Sequence, residues 1–328
     1  MNLADRRVLV TGAGGFIGSH LCEALVAEGA RVRALVSYDA RGSWGWLDML
    51  PRGTVEVVAG DVRDAASVDD AVRGTSAVFH LAALIGIPYS FRAPDAYLET
   101  NVKGTLHVLQ AARRHGVERL LVTSTSEVYG SARTVPMRED HPLTAQSPYA
   151  ASKIAADKLA ESFARSFELP VTIVRPFNCF GPRQSTRAVI PAIIVQLLAG
   201  GPLRLGSLEP RRDFTYVVDI ARAFVAIARS EATRGEEIHV ASGGDVAIGE
   251  LAEELVRRLA PGTTIVCDEE RLRPSRSEVL RLVGDASRLR ALTDFTPRFD
   301  LARGLDATIA WFRDPANLAR YRADTYQV

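Results

Sequence analysis

The chain has 328 residues, 40 Lys and Arg against 39 Asp and Glu (formal charge +1), and is 47% hydrophobic and 24% charged. These are the values of a globular chain of about two domains, and they exclude a disordered or fibrous one. Near-neutral charge speaks against broad electrostatic capture of nucleic acid, and no apolar run reaches the ~20 residues of a membrane span.

The N-terminus, MNLADRRVLVTG, lacks the apolar stretch of a secretory signal. Cys22, Cys179 and Cys267 are widely spaced without a CxxC, so neither a disulfide framework nor a zinc site is expected. The expectation is a cytoplasmic protein with no metal and no nucleic-acid or membrane partner.

In chain order, strand-like runs fall at Arg7–Val10, Val32–Val36, Val55–Val58, Ala77–Leu81, Arg119–Val122 and Val171–Val174. Amphipathic stretches at Ile17–Glu28, Ala65–Val72, Tyr97–His115 and Tyr149–Phe167 alternate with them. Strands joined by helix-length crossovers predict a parallel sheet covered on both faces, doubly wound because such crossovers are right-handed. Beyond Arg175 the pattern loosens: 178–212 is rich in Pro, Gly and Arg, Phe214–Val218 reads as a strand, and Ile220–Ser230, Glu250–Leu259 and Leu301–Phe312 read as helices. The expected α/β architecture is a Rossmann domain over 1–177, with a return segment near 213–242. A smaller C-terminal α/β substrate-binding domain takes 178–212 and 243–328. Trp44 and Trp46, in the loop after the second strand, suggest packing rather than chemistry.

The first strand runs into Gly12-Ala-Gly-Gly15-Phe-Ile-Gly18 and then a helix, the context a dinucleotide site requires. Gly12 permits the turn, Gly15 lets backbone N–H groups approach a pyrophosphate, and Gly18 lets helix and strand pack closely, with the helix dipole favouring the anion. At the end of the second strand, Leu35-Val36-Ser37-Tyr38 offers no carboxylate before Asp39, and Arg41 follows. NADP is thus permitted, since Arg41 can pair with a 2′-phosphate, and NAD is not excluded. Asp61 is placed to accept from the adenine amino group or, alternatively, to cap the helix at Ala65.

Tyr149 and Lys153 stand at i and i+4, one turn apart on one helix face. A free phenol ionises near ~10, and an ammonium and a nicotinamide cation nearby favour the phenolate. After the fifth strand come Thr123-Ser-Thr125-Ser126-Glu127, at the strand ends where ligands sit in such sheets. Thr125 can hydrogen-bond a substrate oxygen, and Glu127 is either a general base or a solvated loop carboxylate.

Thr11-Gly-Ala-Gly-Gly-Phe-Ile-Gly18, His80-Leu-Ala-Ala83, Ser124-Thr-Ser-Glu-Val-Tyr-Gly130, Tyr149-Ala-Ala-Ser-Lys153 and Arg175-Pro-Phe-Asn178…Gly181-Pro182 resemble the extended short-chain dehydrogenase/reductases, the NAD-dependent epimerases and dehydratases of nucleotide sugars. The resemblance runs from about Arg7 to Phe312. Gln146–Ser166, Gly181–Pro191 and Arg212-Asp-Phe-Thr-Tyr216 look like the nucleotide-linked N-acetylglucosamine 4,6-dehydratases of the legionaminic-acid pathway.

The resemblance implies a tightly held NAD or NADP, regenerated in each turnover and contacted by Gly12, Gly15, Phe16, Ile17, Gly18, Ser37, Arg41, Asp61, Val62, Leu81, Ala82, Ala83, Asn101, Thr123, Tyr149, Lys153 and Pro176. It implies a catalytic set of Tyr149, Lys153, Thr125, Ser126 and Glu127. A nucleotide-sugar substrate would be held by Ser90, Thr125, Asn178, Val189, Arg212 and Arg273, and a homodimer would form through the helices near Tyr97–His115 and Tyr149–Phe167. Better-known hexose dehydratases carry Thr-Asp-Glu where this chain has Thr125-Ser126-Glu127. That leaves the acid toward the 6-OH to Glu127 acting as a shuttle, to water or to another side chain. The expected activity is 4,6-dehydration of an NDP-hexosamine, UDP- or GDP-N-acetylglucosamine. The alternatives are UDP-glucuronate decarboxylase or NDP-sugar 4-epimerase on the same scaffold, or a dinucleotide-binding sensor without turnover. For Arg183, Arg187 and Arg211 a solvated surface charge weighs evenly against a role in binding the diphosphate.

Overall fold

The computed structural model describes residues 1–272 and 277–322. Seven strands form the central sheet: β1 (Arg7–Thr11), β2 (Arg31–Val36), β3 (Glu56–Ala59), β4 (Ala77–His80), β5 (Arg119–Thr123), β6 (Val171–Pro176) and β11 (Glu237–Val240). All pair in parallel, in the order β3-β2-β1-β4-β5-β6-β11. The order reverses between β1 and β4, and the crevice beyond the strand ends at such a switch point is where a ligand fits. The inner strands are buried on both faces, as Val8-Leu9-Val10 shows with no exposed residue, so they read as unbroken apolar runs. β11, which closes the sheet beyond β6, reads Glu-Ile-His-Val and has no such run.

Helices α1 (Phe16–Ala27), α2 (Ala65–Val72), α3 (Ile87–Arg92), α4 (Pro94–Tyr97), α5 (Gly104–Arg114) and α6 (Pro148–Phe167) follow in turn. Leu98–Lys103 is a π-type turn between α4 and α5, so the single helix expected over Tyr97–His115 is interrupted. Ser147 caps α6 by accepting from the Ala150 N–H, and Pro148 opens it with a preset φ. Beyond β6 come α7 (Val189–Ala199), α8 (Val217–Arg229), α9 (Ile248–Leu259), α10 (Ser287–Leu292), α11 (Leu301–Arg313) and α12 (Pro315–Leu318). The apolar sides of α1, α8 and α10 cover one face of the sheet, through Leu21, Leu25, Phe224 and Leu289. Those of α2, α5 and α6 cover the other, through Val68, Val108 and Phe163.

Short strands β7 (Asn178–Phe180), β8 (Leu203–Leu205), β9 (Arg211–Arg212), β10 (Phe214–Tyr216), β12 (Val246–Ala247), β13 (Ile265–Cys267) and β14 (Arg281–Leu282) make three small sheets. A further core of Phe180, Ile193, Leu251 and Phe312 gathers α7, α9 and α11.

Packing of α1 against the turn that precedes it leaves no room for side chains. A Cβ on Gly18 would lie 2.2 Å from the Gly12 carbonyl oxygen, and one on Gly12, where φ is +67°, would lie 2.8 Å from the Ala82 nitrogen. Gly14 is equally constrained: a Cβ there would meet the Trp44 carbonyl oxygen at 2.5 Å, and its own carbonyl accepts from the Trp46 N–H. Trp46 in turn packs edge-on against Trp311 and stacks on Tyr321. Because the obstructing atoms at Gly18 are backbone of Gly12 and Ala13, Gly18→Ala forces α1 away from the glycine turn and should cost about 1–3 kcal/mol. Chemical denaturation measures this, and an unchanged midpoint would show that the helix retreats freely.

Candidate active site

A cleft of about 1440 Å³ follows the strand ends across the switch point. The turn after β1, the loop after β2 and the segment after β3 wall one end of it. Thr125, Ser126, Glu127, Tyr149 and Lys153 wall the other. Phe16, Ile17, Val62, Leu81, Ala82, Ala83, Thr123 and Pro176 lie along its length, bringing together most of the expected dinucleotide contacts.

The cradle suits a dinucleotide. Gly15 caps α1 with its Cβ position facing nothing closer than the Gly12 oxygen at 3.2 Å, and no acidic residue occupies the first turn of α1 to repel a pyrophosphate. The loop after β4 is set by buried polar groups. Thr11 Oγ1 accepts from the Leu81 and Ala82 N–H groups and lies 2.8 Å from His80 Nδ1. Burial, assisted by the Lys153 charge, lowers His80 to about 3, so its imidazole is neutral.

Asn101 is 1% exposed and does not line the cleft. From the π-type turn it donates to the Leu84 carbonyl and to Ser152 Oγ and accepts from the Leu84 N–H. It therefore shapes the wall from behind.

At the adenosine end, Ser37 and Arg41 line the cleft. Arg41 is exposed and doubly bonded to Asp39 at 3.2 Å. Asp61 also lines it and pairs with Arg63 at 2.5 Å. The cap of α2 is Asp64, which accepts from the Ala66 N–H, so the alternative reading of Asp61 as that cap does not hold.

At the opposite end, α6 turns Tyr149 and Lys153 inward. Lys153 Nζ donates to the Thr123 carbonyl at 2.6 Å, and burial lowers its pKa. Tyr149 is 6% exposed. Burial raises its pKa, Glu127 and Tyr97 raise it further, and the hydrogen bond with Thr125 opposes them. Thr125 also accepts from the Glu127 N–H, capping the short 3₁₀ turn Ser126–Tyr129. Ser126 is 2% exposed and Glu127 half-buried, both on the cleft wall.

A second cavity of about 270 Å³ adjoins the first and shares Asn178, Cys179 and Gln184 with it. Val189 and Arg212 line it as expected, together with Arg187 and Arg271. Arg212 is 5% exposed, with Nη2 3.5 Å from Glu278. Arg187 is thus a cavity residue, whereas Arg211 is spent on Asp245 and Glu250, and Arg183 on Glu23.

Ser90 is fully buried, donates to the Ile87 carbonyl and lines neither cavity; its neighbours Pro88 and Tyr89 do. Arg273 lies outside the described residues. Gln184 carries no distinguishing mark in the sequence; the signal available is the Gly181-Pro182 turn before it, where Arg183 takes φ +71°.

Fold and cleft together define a Rossmann enzyme of nicotinamide dinucleotide chemistry. Residues 9–308 match the family described as GDP-mannose 4,6 dehydratase. A dTDP-glucose 4,6-dehydratase of Actinoplanes sp. is 33% identical over 317 residues, covering 94% of this chain and 98% of that protein. A UDP-N-acetyl-alpha-D-glucosaminuronate decarboxylase of Bacillus cytotoxicus is 34% identical over 95% of this chain and 99% of its own length. The crystal structure of DesIV, a dTDP-glucose 4,6-dehydratase from Streptomyces venezuelae with NAD bound, superposes with a TM-score of 0.87 at 32% identity, covering 96% of this chain and 99% of that one. The chain belongs to the extended short-chain dehydrogenase/reductases, in the NAD-dependent epimerase/dehydratase family that works on nucleotide sugars. Among the described residues no helix is long and apolar enough to cross a membrane.

Since the Thr125 hydroxyl is what favours the Tyr149 phenolate here, Thr125→Val should move that ionisation upward by up to about one pH unit. The tyrosinate absorbance that disappears in Tyr149→Phe isolates the group; an unmoved titration would remove Thr125 from this role.

Proposed function

We propose that the protein is a nucleotide-sugar 4,6-dehydratase acting on an NDP-hexosamine, UDP- or GDP-N-acetylglucosamine. The observation that carries the choice of reaction is Glu127, close enough to Tyr149 to perturb it and the one carboxylate among the described residues at that end of the cleft. The hexosamine rests on the resemblance over Gln146–Ser166 and Gly181–Pro191.

Tyr149, with Thr125 fixing its hydroxyl, takes the proton of the sugar 4-OH. A bound nicotinamide dinucleotide supplies a hydride acceptor for C4 and later the hydride donor to C6. The resulting ketone acidifies the C5–H bond, and Glu127 takes that proton. Ser126 is a far weaker acid than a carboxylic acid, so it orients the departing 6-OH while Glu127 passes the C5 proton to it, releasing water. C5 then takes a proton drawn from water through Glu127, and Tyr149 gives up the 4-OH proton to solvent, so both groups end as they began. Lys153, one helical turn from Tyr149, is held on the Thr123 carbonyl, and Asn178, Arg187 and Arg212 offer donors to the diphosphate. The second core, around α7, α9 and α11, would hold the nucleotide end and the sheet domain the dinucleotide.

An epimerase would have no use for a carboxylate at Glu127. A decarboxylase needs a cation beside the sugar C6; among the described residues Lys153, which lines that end of the cleft, is committed to the Thr123 carbonyl, and the arginines lining the two cavities lie at the adenosine end (Arg41, Arg63) or in the second cavity (Arg187, Arg212, Arg271). Both contrasts support dehydration. The test is incubation with UDP- and GDP-N-acetylglucosamine, read by mass: a product one water lighter supports the reading, and epimer or CO₂ release from UDP-glucuronate overturns it. Glu127→Gln should still oxidise C4 and accumulate reduced cofactor, with elimination slowed about 10²–10⁴-fold.

We also propose a homodimer through α5 and α6, next to which Leu98 is 53% exposed. Leu98→Glu would then shift the species seen in sedimentation from dimer to monomer.

A further inference from the structure

One face of α6 grips the chain leaving β5 at three consecutive residues. Tyr149 faces Thr125, whose hydroxyl favours its phenolate, Lys153 donates to the Thr123 carbonyl, and Asp157, one turn further on, accepts from Ser124 Oγ at 2.7 Å. Asp157 is 1% exposed. The same oxygen, Oδ2, also accepts from Arg175 Nε at 3.2 Å and Nη2 at 3.0 Å. Arg175 is fully buried at the end of β6, and its remaining nitrogen, Nη1, donates at 2.7 Å both to Tyr129 Oη and to Glu237 Oε2. Tyr129 Oη also lies 2.5 Å from His239 Nε2.

Ser124 and Tyr129 therefore flank the triplet Thr125-Ser126-Glu127, and each is tied to one member of a single buried ion pair. A four-residue 3₁₀ turn has little rigidity of its own. Buried ion pairs are weak contributors to net stability and are better understood as devices that fix one arrangement. We infer that the Asp157–Arg175 pair is a clamp that closes on both ends of the reactive triplet, making Ser124, Tyr129, Asp157 and Arg175 positioning residues that hold Glu127 opposite Tyr149. None of the four donates or accepts a proton in the reaction.

Removing Arg175 would leave Asp157 buried without its cation, and removing Asp157 would leave Arg175 to Glu237 alone, so the informative variants delete one hydroxyl each. Tyr129→Phe keeps the ring packed edge-on against His141 and His239, and Ser124→Ala releases the other end. Amide hydrogen exchange on the free protein is the primary readout. Loss of a bond to a charged partner should speed exchange of residues 126–130 about tenfold or more in Tyr129→Phe, with the amides of α1 and β1 unchanged. Unchanged exchange over 126–130 in both variants, or acceleration spread evenly over the molecule, overturns the clamp.

The kinetic readout rests on the dehydratase reading. Tyr129→Phe should then resemble a mild Glu127→Gln, with reduced cofactor accumulating at unchanged substrate KM, whereas a merely destabilised enzyme would lose total rate with no change in that partition. A wild-type protein that dehydrates nothing sinks the dehydratase reading alone, and the exchange result still decides the clamp.

Discussion

The chemistry of this site hangs on the contact between the end of β5 and one side of α6. Tyr149, Lys153 and Asp157 are spaced a helical turn apart; Lys153 and Asp157 hold Thr123 and Ser124 by hydrogen bonds, and Tyr149 faces Thr125. A strand end by itself is a poor platform, because its last backbone groups have no neighbours to pair with. Binding it to a twenty-residue helix that is capped at its start and anchored by Ala156, Ala160 and Phe163 in the core converts a loop into part of the scaffold. Site geometry built on regular elements holds better than geometry built on loops.

The same arrangement explains how relatives of similar identity carry different reactions. A dehydratase and a decarboxylase both match this chain over nearly its whole length. In the reaction proposed above, the fate of the C4 ketone falls to a few atoms on the wall opposite Tyr149, those of Ser126 and Glu127, which are set by the 3₁₀ turn rather than by the sheet.

Much of this is legible in the amino acids. The inner strands are unbroken apolar runs, α2 is readable at its full extent and α6 to within one residue, and the glycine turn and the Tyr-Lys spacing lead directly to the two ends of the cleft. The features that escape have physical causes. β11 carries Glu237 and His239 for the buried network and so does not look apolar. The π-type turn at Leu98–Lys103 keeps helical composition while shifting the register that brings Asn101 to Leu84. Ser90 and Asp61 show that a polar side chain near a site has competitors: an i−3 carbonyl takes the first and Arg63 the second. Asp157 carries no signal at all, since its significance lies in Arg175, which joins it only when β6 lies beside β5.

The contact of Trp46 with Trp311 and Tyr321 has a consequence for biogenesis. The loop after β2 rests on Gly14 from one side and on these late aromatic rings from the other. A chain that has reached the glycine turn but not yet residues 311 and 321 lacks the rings that brace the outer wall of the cradle. The dinucleotide end of the cleft is therefore coupled to packing some three hundred residues downstream of the turn that defines it.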